Sequence, residues 1–114
     1  FLPCIDFGHL NARTLGGLSG KADFAAVLDA VRDRLGEERG RCFHAHFSRI
    51  EFSKGGEKRH LTFAEPLGFG PEPGPLMELV AERALTPVVI CESAGTQAED
   101  AAAMRDLWRA ACGA

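Results

Sequence analysis

No stretch of the chain reaches the roughly 18 consecutive apolar residues that a membrane-spanning helix needs, so that class is excluded. No basic segment leads into an apolar stretch at the start, so no secretory signal is visible. An initiator Met is also missing; the opening Phe1-Leu-Pro-Cys-Ile reads as the beginning of a strand, and the chain as a fragment or a processed or incomplete reading frame. There is no C-x-x-C pair. The four cysteines (Cys4, Cys42, Cys91 and Cys112) are widely spaced and read as reduced, buried, cytosolic thiols, which implies a cytoplasmic protein. Basic excess is lacking too. A net charge of −3 argues against a domain that coats nucleic acid, though not against an enzyme that grips DNA through metals and a local basic loop.

What is present is ordinary globular composition, 46% hydrophobic and 25% charged over 114 residues, which suits one packed unit. Three similar segments follow one another, each a strand, a loop and an amphipathic helix. The first strand is Leu2 to Phe7, followed by a polar, Gly-rich loop from Asn11 to Gly20. Its helix runs from about Ala22 to Leu35, with Phe24, Val27, Leu28, Val31 and Leu35 on one stripe and Gly36 as its stop. The second strand is Cys42 to about Phe52. Cys42, His44, His46 and Ser48 alternate with Phe43, Ala45 and Phe47. An irregular loop from Ser53 to Gly74 leads to a helix from Pro75 through Leu85, with Leu76, Leu79 and Val80 buried. The third strand, Pro87 to Glu92, is a continuous apolar run, as expected of a strand covered on both faces. Thr96-Gln-Ala-Glu99 is a capping-box pattern opening a helix whose Met104, Leu107, Trp108 and Ala111 line one side. Such alternation predicts βαβ units and a parallel sheet. Three units are too few to close an eight-stranded barrel of about 250 residues, so the chain reads as part of a barrel or as a small open sheet.

Acidic and imidazole side chains fall at the carboxyl ends of all three strands, the edge on which parallel α/β proteins build their sites. Asp6 and His9 end the first, His44 and His46 lie in the second, and Glu92 ends the third. Singly, Asp6 or Glu92 could cap a helix or pair with Arg. As a set they are hard to explain by packing, because a carboxylate at a covered strand end is costly unless paired or metal-bound. Parity places Cys4 with Asp6, His44 with His46 and Ser48, and Val88 with Ile90 and Glu92. If those faces point inward, Asp6, His46 and Glu92 meet, and one nitrogen with two carboxylates suits zinc or manganese. Asp6 and Glu92 then also serve as the catalytic pair. His44, two residues deeper, reads as a supporting or core histidine. The loop Lys54-Gly-Gly-Glu-Lys-Arg-His60 places three basic residues near this site; it reads either as a phosphate clamp or as a solvated loop.

Ile5-Asp6-Phe7-Gly8-His9 resembles the D-x-x-H strand of the endonuclease IV (apurinic/apyrimidinic endonuclease) family. His46-Phe47-Ser48 resembles that family's next strand, Arg59-His60 its D-R-H, Leu67-Gly68-Phe69-Gly70 its L-G-x-G turn, and Val89-Ile90-Cys91-Glu92 its last ligand-bearing strand. The ordered set covers nearly the whole chain and resembles that of the wider xylose-isomerase-like TIM barrels. The resemblance implies the last three βα units of a (βα)8 barrel, a single partial domain over residues 1–114. It also implies zinc ions that activate water and stabilise charge on an attacked phosphate of abasic or damaged DNA. Asp6, His46 and Glu92 would share one ion, His9 and His60 would hold another, and Arg59 and Lys58 would contact phosphate. Lys58 stands where the family has Asp; Glu57 could replace that oxygen only through a shift of the loop, which is one residue shorter than the family's. The family's remaining His-His-Glu ligands are absent from the chain. Sugar isomerases and epimerases of the same superfamily offer a second reading, with one metal on Asp6, His46 and Glu92, and His9 and Arg59 on a small sugar substrate. A non-catalytic barrel fragment is a third. In each case an open three-stranded sheet should need the rest of the barrel, or self-association, to cover its edges.

Overall fold

The computed structural model describes residues 3–53, 56–61, 70–93 and 95–113, the side chains at 53 and 56–58 excepted. Three strands, β1 (Cys4–Asp6), β2 (His44–Phe47) and β5 (Val88–Cys91), form a parallel sheet in the order β1-β2-β5. The register pairs Asp6 with His46, His46 with Ile90 and Phe47 with Cys91. The expected strand–helix alternation is therefore present, and each strand is shorter than its apolar run suggests.

Helix α2 (Lys21–Leu35) follows β1, α4 (Pro73–Glu82) precedes β5, and α5 (Gln97–Gly113) follows it. They cover one face of the sheet only. Ile5, Ala45, Phe47 and Cys91 point into that layer and meet Phe24, Leu28, Leu76, Val80 and Met104. Phe7, Phe24 and Phe47 form its centre, with ring centroids 5.6 to 6.4 Å apart. Burying such aromatic rings contributes on the order of 2–3 kcal/mol each and fixes the height of β1 and β2 against α2. Gly36, at φ +94°, makes the stop that ends α2, a backbone state costly for any other residue.

Several expectations are corrected. Phe7, expected to end the first strand, and residues 11–13, expected in the loop, belong to helix α1 (Phe7–Arg13), which starts directly off β1 because the Asp6 side chain caps it. Residues 37–41 form a further short helix, α3. The strand expected from Cys42 to Phe52 breaks at Ser48. Beyond the break, β3 (Arg49–Ser53) leaves the sheet and pairs antiparallel with β4 (Gly56–Leu61), so part of the expected irregular loop is a hairpin. Its physical cause is in the neighbours: Ile50 and Leu61 are fully buried, and the hairpin packs on α1 rather than continuing the sheet. At the start of α5 the Thr96 hydroxyl donates to Asp100 Oδ2 at 3.3 Å. On the side of α5 that carries Met104, Leu107, Trp108 and Ala111, Met104 is buried while Leu107 and Trp108 are exposed.

The strand β5 is covered on one face, not two: Val88 and Ile90 are 52% and 47% exposed, beside exposed Cys4 and half-buried His44. The cysteines also differ from the expected buried set. Cys91 is buried, and burial pushes its thiol up to about 11, while Cys4 and Cys112 are exposed. The Leu67-Gly68-Phe69 part of the glycine-rich turn, the Lys54-Gly55 tip of the basic loop, and the side chains of Glu57 and Lys58 lie outside the described residues. No described helix is long and apolar enough to cross a membrane.

Candidate metal centre

The carboxyl edge of the sheet brings Asp6, His46 and Glu92 together, with one ligand atom of each within 4.8 Å of the others. Each side chain arrives for a local reason. Asp6 ends β1 opposite His46 in the parallel register. Glu92 follows β5, and its backbone N–H donates to the Phe47 carbonyl at 3.0 Å, which extends the ladder by one rung and sets the carboxylate beside His46. His46 Nδ1 lies 3.4 Å from Glu92 Oε1 and 3.9 Å from Asp6 Oδ2. Two ligand atoms on one tetrahedral zinc stand about 3.3–3.5 Å apart, so the closure required is small.

Charge and solvation favour a cation there. Among the described residues no Lys or Arg pairs with Asp6 or Glu92; their ion-pair partners are the imidazoles of His9 and His46. Glu92 Oε1 is buried and has no hydrogen-bond partner. A buried carboxylate oxygen left in this state costs roughly 1–3 kcal/mol or more, a debt a bound cation would offset. The donor set thus fits a divalent metal such as zinc or manganese.

Asp6 has a second task. Its Oδ1 accepts the backbone N–H of His9 at 2.9 Å, capping α1, and its Oδ2 lies 2.6 Å from His9 Nδ1. The cap is therefore observed, and a ligand role at the same residue is compatible with it. Asp6→Asn keeps a capping oxygen and should lower the melting temperature little while weakening zinc binding. Asp6→Ala should lose both, costing about 1 kcal/mol of stability in the metal-free protein as well. Calorimetric melting with and without zinc separates the two; equal metal-free stability of the two variants would contradict the capping role.

His9 and His60 are brought side by side next to this triad, their ring centroids 5.4 Å apart and nearly perpendicular. Imidazoles sharing one tetrahedral ion have centroids about 5 Å apart, by zinc–nitrogen distances near 2 Å. His60 arrives on β4 opposite Ile50, whose side chain sits on α1 at Gly8. Its Nδ1 lies 2.7 Å from the Oγ of Ser48, which is only 1% exposed. Two other sequence-expected residues, Arg59 and His44, are not in this group. Arg59 pairs with Glu51 on the opposite face of the hairpin from His60, at 3.7 Å, and is 56% exposed. His44 lies one row deeper on the open face of the sheet, level with Cys4 and Val88.

Two contributors escaped the sequence reading, Ser48 and Gly8. Their signal was present: two alternating runs flanking Gly55-Gly56 are a hairpin pattern, and a hairpin would have brought His60 back to the end of β2.

Comparison with known proteins adds little beyond this geometry. A stretch of 64 residues, 56% of this chain, is 45% identical to a protein of Methanocaldococcus jannaschii described as uncharacterized, and spans 23% of that relative's length. No family model and no solved structure matches the chain.

Proposed function

We propose that the chain is the carboxyl-terminal, metal-binding part of a (βα)8 barrel resembling endonuclease IV, acting in metal-dependent hydrolysis of phosphodiesters at abasic or damaged sites in DNA. The observation that carries this reading is the pair His9 and His60, adjacent at ion-sharing distance beside the Asp6, His46 and Glu92 group. Two neighbouring cation sites suit a reaction in which charge builds up on phosphate oxygens. The bare sheet face bearing Val88 and Ile90 supports the barrel part of the proposal, since in a closed barrel it would be the packed interior. So does the size of the relative, about 280 residues by the span of its match, close to the roughly 250 of an eight-unit barrel.

A bound divalent ion would supply Lewis acidity toward a phosphate oxygen and an attacking water. The chain's own residues have simpler duties. Asp6, His46 and Glu92 hold one cation, zinc first and manganese as the alternative. His9 and His60 approach a second. Phosphate contact falls to Lys58 and Arg59, the latter after leaving Glu51. Reduced thiols fit a cytoplasmic setting.

One observation favours the sugar isomerase or epimerase instead. Among the described residues only Asp6, His46 and Glu92 form a group of three metal-ligating side chains, which is a one-ion site. Metal stoichiometry and activity of the full-length protein decide. Two or more equivalents of zinc with nicking of a duplex containing an abasic site is the expected result. One equivalent together with epimerisation of a ketose would overturn the nuclease reading.

A further inference from the structure

We propose that Ser48 is a positioning residue for His60, fixing the imidazole in the tautomer that coordinates through Nε2; this rests on the two-cation reading above. Ser48 occupies the break between β2 and β3, where the chain leaves the parallel sheet for the hairpin. Its side chain is almost fully buried, and its Oγ stands 2.7 Å from His60 Nδ1, across 12 residues of sequence. A hydroxyl can donate to or accept from a ring nitrogen, so the distance alone allows either tautomer. The pairing with His9 points to one of them. His60 faces His9, whose own Nδ1 is held by Asp6 Oδ2 at 2.6 Å, so both rings present one nitrogen to an oxygen of the protein and meet edge to face. That is the arrangement of metal-ligating histidines, in which an oxygen partner takes the N–H of one nitrogen and coordination falls to the other. In that arrangement Ser48 Oγ would accept from Nδ1–H, leaving Nε2 to coordinate. The same residue ties this orientation to the fold: its carbonyl oxygen lies against Gly8 of α1, the helix that carries His9. One residue thus sets both the ring of His60 and the spacing of the hairpin from α1.

The test uses the full-length protein and zinc. At pH 8, where an ordinary imidazole is neutral, nitrogen-15 chemical shifts of wild-type His60 without metal should report Nδ1–H. An Nε2–H tautomer would overturn the proposal without any variant being made. In zinc titrations Ser48→Ala should keep the first equivalent and weaken the second by about 10- to 100-fold, the usual effect of removing such a partner. Ser48→Thr, which keeps the hydroxyl, should restore most of it. If the wild type takes up two equivalents and Ser48→Ala binds both as tightly, the positioning role fails while the two-cation reading stands. A wild type that takes up only one equivalent removes that reading, and the role of Ser48 with it.

Discussion

Glu92→Gln is expected to abolish tight binding of the first zinc equivalent and, with it, activity toward substrate. The change is nearly isosteric, so packing at the end of β5 should survive; what disappears is one of the two anionic ligands facing His46 at 3.4 Å. Partners that merely orient a ligand are worth about 10- to 100-fold in metal affinity, so loss of a ligand itself should exceed a hundredfold. The informative companion is stability. In the metal-free protein Glu92 Oε1 is buried without a hydrogen bond, an arrangement that costs free energy. Neutralising it should leave the metal-free protein at least as stable as wild type, while the stabilisation wild type gains from zinc is lost. Thermal unfolding with and without zinc reads both effects. A variant that melts lower without metal and still gains from zinc would mean that Glu92 is a structural residue.

Gly8→Ala is expected to damage the neighbouring histidine pair although Gly8 touches no ligand. Two effects oppose each other. Alanine within a helix is favoured over glycine by about 1 kcal/mol. The new Cβ, however, would lie 2.7 Å from the Ser48 carbonyl oxygen and 2.9 Å from Ile50 Cδ1. Backbone oxygen does not yield as a flexible side chain does, and overpacking of this kind costs about 1–3 kcal/mol. The clash should win, and the hairpin should move off α1, carrying Ser48 and His60 away from His9. The expected result is a fall in Tm of a few degrees and loss of the second zinc equivalent, with the first retained. A variant as stable as wild type that still binds both would show that the contact between hairpin and α1 does not hold the pair together.

The candidate triad was legible in sequence because it depends on strand parity alone. Asp6 ends β1, His46 lies one residue before the end of β2 and Glu92 directly follows β5, and a parallel register brings these positions together with little help from loops. The helices α2, α4 and α5 were legible for a similar reason, each marked by a buried stripe or a terminal signal. The surroundings of the site were not, because they depend on a change of course. At Ser48 the alternation slips by one residue, from buried Phe43, Ala45 and Phe47 to buried Ile50, but both stretches favour extended chain, so the run reads as one strand. Only the third dimension, with Ile50 seated on Gly8, shows that the backbone has left the sheet. Helix α1 was hidden by brevity: seven residues ending at Arg13, directly after a strand, and started by a carboxylate already assigned another role. The bare face of β5 was misread because a continuous apolar run does not say whether its second cover lies within the same segment of chain.

The central claim is that Asp6, His46 and Glu92 hold one divalent metal. Anomalous diffraction at the zinc edge, from crystals of the full-length protein grown with zinc, tests it most directly. The account predicts a peak about 2.0–2.2 Å from a carboxylate oxygen of Asp6, a ring nitrogen of His46 and a carboxylate oxygen of Glu92. Zinc bound only elsewhere, with these three side chains left uncoordinated, would contradict it.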